Sequence, residues 1–104
     1  MPKRATVKRH ETVEIQGEGS YVVVTGIKVK DIRKLREKVK DPDLDQFNES
    51  LLLVAGHIIE WNWVDDDEEP LPVPAKNPEV MDELTNEEAV FLTELMIGSV
   101  AAKN

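Results

Sequence analysis

Leu44–Val64, LDQFNESLLLVAGHIIEWNWV, holds both tryptophans and one of the two phenylalanines of the chain. Phe47, Leu51, Val54, Ala55, Ile58 and Trp61 recur at helical spacing, which predicts a helix over 44–64 with one continuous apolar face. Leu52, Leu53 and Ile59 widen that face, so the helix is expected to be buried over more than half its girth. Each large apolar side chain buried there contributes about 1.5–3 kcal/mol. Gly56 interrupts the pattern, since glycine costs a helix interior about 1 kcal/mol relative to alanine. It either admits close packing of another element or marks a break before a short strand, His57–Val64. The two readings place the tryptophans differently. On a helix Trp61 and Trp63 lie about 200° apart; in an extended segment both point to one side.

The rest of the chain must cover this stretch. With 104 residues and no cysteine, a single domain over 1–104 with one modest core is expected, without disulfides or thiolate metal sites. No apolar run is long enough to span a membrane. The N-terminus is basic without an apolar h-region, so no secretory signal is read there and a cytoplasmic location is expected. Net charge is −8, but it is unevenly spread. Residues 1–40 carry eleven Lys/Arg against five Asp/Glu, and residues 41–104 carry two against sixteen. The plain reading is two solvated faces; the sharper one is a polar molecule whose ends attract opposite partners or each other, head to tail.

Upstream, residues 1–10 are expected to form a flexible arm. Thr12–Ile15 alternates, residues 16–20 make a turn, and Tyr21–Thr25 is β-branched and aromatic, which together predict a β-hairpin. Gly26–Lys40 predicts a basic amphipathic helix with Ile32, Leu35 and Val39 inward and Arg33 and Lys34 among the outward cations. Such a helix can bind phosphate or a membrane surface, but no aromatic residues interleave the cations as single-stranded nucleic acid would require. Asp41-Pro42 stops it, and Asp43 or Asp45 can cap the central helix.

Downstream, Asp65–Glu69 reads as a solvated acidic turn, because its spacing is not that of a calcium loop. Pro70–Pro74, PLPVP, is extended and directs Leu71 and Val73 to one side as a strap on the core. Ala75–Asp82 reads as loop. Thr85 and Glu88 predict a capping box that opens a helix through Phe91, Leu92, Leu95, Met96 and Val100. The expected fold class is therefore α+β: an N-terminal hairpin packed on about three helices, with an extended proline strap.

Little in the chain points to chemistry. His57 and Glu60 have a spacing that could put two ligands on one metal, but no third ligand is visible, and His10 lies in the arm. Ser20, Ser50 and Ser99 lack triad partners in the sequence. No enzyme, cofactor or metal is expected.

The order of features has a counterpart. An apolar segment ending in Ile58-Ile59-Glu60-Trp61-Asn62-Trp63 is followed by the acidic turn 65–69, the strap Pro70-Leu71-Pro72 and the helix start Leu84–Glu88. This resembles the small tail assembly chaperones of long-tailed bacteriophages, and the hairpin and basic helix extend the likeness over most of the chain. It departs from that pattern at Glu68-Glu69, where a glycine commonly ends the turn. The resemblance implies a non-virion protein of the host cytoplasm that binds the tape measure protein, the tail tube protein or both, and keeps them soluble. An apolar client calls for anchors within a charged rim, for which Trp61, Trp63, Leu71, Val73, Arg33 and Lys34 are the candidates. Self-association into a homo-oligomer is compatible with the charge split, a membrane partner is not expected, and nucleic acid is not favoured. Two alternatives come from other classes: a small acidic inhibitor of a host defence or nucleic-acid enzyme, resting on the acidic residues 41–104, and a nucleic-acid-binding module using Lys28–Lys40. In the family it resembles, ribosomal slippage near the end of the first frame often gives a longer form. Ala102-Lys103-Asn104 is compatible with an A-rich slippery run, and an AAG lysine codon would exclude it.

Overall fold

The computed structural model describes residues 2 and 4–98. In chain order its elements are β1 (Val7–Glu11), the single helical turn α1 (Val13–Gln16), β2 (Tyr21–Thr25), α2 (Val29–Lys38), α3 (Gln46–Ala55), β3 (Ile58–Trp61), a 3-10 helix (Pro78–Glu83) and α4 (Asn86–Met96). The fold is α+β: an antiparallel sheet of order β1-β2-β3 with helices packed on it.

The helix expected over 44–64 ends at Ala55, and Gly56-His57 turns the chain into β3. Gly56 has an ordinary helical φ of −63°. A side chain there would meet only the carbonyls of Leu53 and Leu52, at 3.7 and 3.9 Å, so the glycine marks the break and admits no neighbouring element. Beyond it, β-branched and aromatic residues favour the extended state. Ile58 and Trp61 both face the core although they are three residues apart. A register shift permits this: Val22 pairs with Trp61, Val23 with Glu60 and Val24 with Ile58, leaving Ile59 as the extra residue of a bulge. At the other end of the stretch, Asp45 caps α3 by accepting from the Asn48 N–H at 3.1 Å.

The N-terminal hairpin also differs from expectation. Its first strand is β1, so residues 7–10 are part of the sheet rather than a flexible arm. The predicted strand Thr12–Ile15 is instead largely the helical turn α1, inside the connection to β2. Gly17 and Gly19 take φ of 97° and 86° there, a region that only glycine enters freely. Thr12 is the reason that this connection packs inward. Its hydroxyl, fully buried, accepts from the Trp63 indole N–H at 3.0 Å and donates to Ser20 Oγ at 2.7 Å. Replacing Thr12 by valine keeps the shape but leaves that indole N–H without an acceptor, which is expected to cost about 2 kcal/mol in urea unfolding.

Sheet, turn and strap form one continuous device. Asp65 Oδ1 accepts from the N–H groups of Asp67 and Glu69 at 2.8 and 3.0 Å, and Glu68 takes a left-handed φ of 62°. The acidic turn is thus tight even though glutamate stands where glycine would be unstrained. The strap then runs back along β3: Val64 bridges Pro70, Leu71 N–H donates to Trp63 O at 3.0 Å, and Ala75 N–H to Ile58 O at 3.1 Å. Leu71 and Val73 lie half-buried against the core, as the alternation predicts. Prolines 70, 72 and 74 offer no N–H to a further strand, so this edge of the sheet is closed.

The Thr85–Glu88 capping box forms, with both reciprocal bonds present. Glu88 also accepts from Gln16 Nε2, while Gln16 Oε1 accepts from Val64 N–H at 3.1 Å. One glutamine therefore ties α1, the segment that follows β3 and α4 together. The 3-10 helix stands where loop is expected, with Val80 and Met81 buried in the core as anchors. α4 ends at Met96, short of the expected run to Val100, because Ile97-Gly98 turns the chain and Gly98 takes a φ of 76°. Ser99, Val100 and the slippage reading at Ala101–Asn104 lie outside the described residues. Among the described residues no helix is long and apolar enough to cross a membrane.

Candidate functional site

The two tryptophans do not form a docking surface. They point the same way from the extended segment and stack, with ring centroids 4.9 Å apart and planes 13° from parallel. Trp63 is fully buried and also meets Phe91 at 6.5 Å; the Trp61 N–H donates to Leu71 O at 3.1 Å, beneath the strap. Leu71 and Val73 are spent in covering them. Of the six candidate anchors, only Arg33 and Lys34 stay exposed.

The apolar residues that do reach solvent lie elsewhere. Leu52 and Phe47 are 48% and 43% exposed, and Ile59 is 43% exposed on the outer face of the sheet, so the broad face predicted for 44–64 is not buried throughout. Leu52 forms part of a groove of about 310 Å³ between α2 and α3. From α2 come Asp31, Lys34, Leu35 and Lys38, a stripe at i, i+3, i+4 and i+7; from α3 come Glu49, Leu52 and Leu53. Leu35 is buried and Leu53 half-buried, so the floor belongs to the core while Leu52 stands as an open wall. Lys38 Nζ and Glu49 Oε1 meet at 3.3 Å across the groove. Lys34 has no ion-pair partner among the described residues.

The arrangement is an apolar trough with a charged rim, which suits an amphipathic helix laid along it. It assembles no nucleophile and base. The width of the α3 apolar face was the signal for it: Leu52 and Leu53 exceed what one-sided burial needs. Which of the two remained open depends on where α2 packs, and that cannot be read locally.

The other singled-out groups serve the sheet. His57 precedes β3 and its Nδ1 lies 2.9 Å from Thr25 Oγ1, while Glu60 accepts from the Tyr21 hydroxyl at 2.8 Å. Since Gly56-His57 breaks the helix, the spacing that would aim His57 and Glu60 at one metal does not apply. His10 and Lys8 border a second hollow of about 280 Å³ with Val24, Ile27, Leu95 and Met96. On the outer face of the sheet, Arg9 lies over the Tyr21 ring, 4.0 Å from its centroid. The hydrogen bond to Glu60 raises the Tyr21 phenol above its ordinary range; desolvation and the Glu60 charge add to this, and the Arg9 cation opposes it. Tyr21 is the only tyrosine, so phenolate absorbance reports it alone. Its midpoint is expected above the ordinary tyrosine value and should fall in Glu60→Ala.

No protein-family model matches this chain, and no curated protein and no solved structure matches it.

Proposed function

We propose that this protein is a tail assembly chaperone of the long-tailed bacteriophage kind, acting in the host cytoplasm. In this reading it holds an apolar helical segment of the tape measure protein, the tail tube protein or both until the tail polymerises. The observation that carries the reading is the open α2–α3 groove, with Leu35, Leu52 and Leu53 inside a rim of Asp31, Lys34, Lys38 and Glu49. Apolar contacts there supply affinity, and the rim keeps the empty trough hydrated and selects clients by charge. The resemblance in element order from Ile58 to Glu88 supplies the client class.

The test is co-expression with the tape measure protein and the tail tube protein of the same genome. A rise in soluble client, with a complex on size exclusion, is the expected result. Unchanged yields of both clients and no complex would end the proposal. The exposed cations of α2 also admit nucleic acid, but in that case a gel shift at low salt would retard DNA and weaken steeply as salt rises.

A further inference from the structure

We infer that the open edge of β1 takes an acidic, extended segment of a partner polypeptide as a fourth strand of the sheet. The inference concerns a different surface from the α2–α3 groove and stands whether or not that groove holds a client.

The proline strap closes the β3 side, so β1 is the free edge of the sheet. Its ladder with β2 fixes which groups it offers. Thr6 O accepts from Gly26 N–H at 3.0 Å, and Thr12 N–H donates to Ser20 O at 2.9 Å. Both bonds lie in the register that sets Val7 against Thr25 and Glu11 against Tyr21. Bonded residues alternate in an antiparallel ladder, so between these two ends Lys8 and His10 bond to β2. The N–H and C=O groups of Val7, Arg9 and Glu11 then point away from the sheet. All three residues are exposed, and none of their backbone groups bonds to another element among the described residues.

The side chains along this edge define what fits it. Lys8 and His10 stand opposite buried Val24 and Val22, which puts them on the inner face of the sheet. There they border the hollow of about 280 Å³ whose apolar walls are Val24, Ile27, Leu95 and Met96. Neither side chain has an ion-pair or hydrogen-bond partner among the described residues. An added strand turns alternate side chains toward that hollow and its rim of lysine and histidine. A large apolar residue with a carboxylate two positions to either side matches both. Backbone bonds supply affinity and the hollow supplies selectivity. A second copy of β1 does not match. Antiparallel pairing about its middle sets Arg9 against Arg9 and Lys8 against His10, and like charges directly opposite are destabilising. The same cations that repel another copy favour an acidic strand.

The probe is the end-blocked peptide Thr-Glu-Thr-Leu-Thr-Glu-Thr, titrated into the full chain at low salt and followed by amide NMR. Saturable binding is expected, with slowed exchange at the N–H groups of Val7, Arg9 and Glu11 and little change at Lys8 and His10, already in the ladder. Lysine in place of both glutamates of the peptide should weaken binding by about tenfold or more. N-methylation of its threonines, whose N–H groups face β1, should do the same without altering charge. In the protein, Val7→Pro removes one outward N–H at an edge position where proline is tolerated, and Lys8→Glu reverses the rim; each should weaken binding about tenfold. The N-methylated peptide leaves the protein unaltered, so its result holds even if Val7→Pro destabilises the sheet. Absence of saturable binding, equal affinity for the lysine or N-methylated peptide, or slowed amides on α2 rather than on β1 would each overturn the inference.

Discussion

Trp63→Ala is expected to lower the unfolding free energy by about 4 kcal/mol. The indole is fully buried, stacked on Trp61 and close to Phe91, and its N–H is bonded to buried Thr12. Truncation removes the transfer energy of the ring and opens a cavity where strap, sheet and α4 meet. It also leaves the Thr12 hydroxyl short of a donor. A domain of this size is stabilised by about 5–15 kcal/mol in total, so the variant should sit near its unfolding transition. Urea unfolding followed by far-UV circular dichroism measures the loss. A change below about 1 kcal/mol would show that Trp63 is not the keystone of the core.

Leu52→Asp is expected to do the opposite: little to stability and much to binding. With nearly half its surface in water, Leu52 contributes modestly to the core, and the change should stay within about 0.5 kcal/mol on unfolding. In the groove it places a carboxylate against the apolar face of any docked helix. Loss of a central anchor costs at least about 2 kcal/mol, or roughly 30-fold in affinity for the client. Titration of the purified client with wild type and variant checks this, and Trp63→Ala provides the contrast. If Leu52→Asp bound as tightly as wild type, the client site would have to be sought outside the groove.

The sequence was most legible where the signal is local. The Thr85–Glu88 box names its own helix start, and the proline alternation aims Leu71 and Val73 inward; α2 ends at Lys38, two residues short of the expected stop ahead of Asp41-Pro42. It misled where two periods coincide. Ile58 and Trp61, three apart, continue the helical pattern of Phe47, Leu51 and Val54; the bulge at Ile59 produces the same spacing in a strand. Short apolar runs cannot be divided between helix and strand by periodicity alone. β1 was hidden for another reason. Lys8, Arg9 and His10 give an edge strand the charges that blunt further pairing, and the same charges make it look like a solvated arm. The tryptophans looked like partner anchors because their composition says so. The proline strap that covers them closes over β3 through backbone bonds at Leu71 and Ala75, which no side-chain pattern announces. The groove, too, exists only once α2 lies beside α3.

Amide hydrogen exchange on the chain, free and mixed with the tape measure protein proposed as its client, tests the central claim most directly. The groove account predicts slowed exchange over residues 31–38 and 49–53, compared with the free chain, and unchanged exchange in the strap at 70–75. Unchanged rates over 31–38 and 49–53, with protection confined to the strap or to β1, would contradict it.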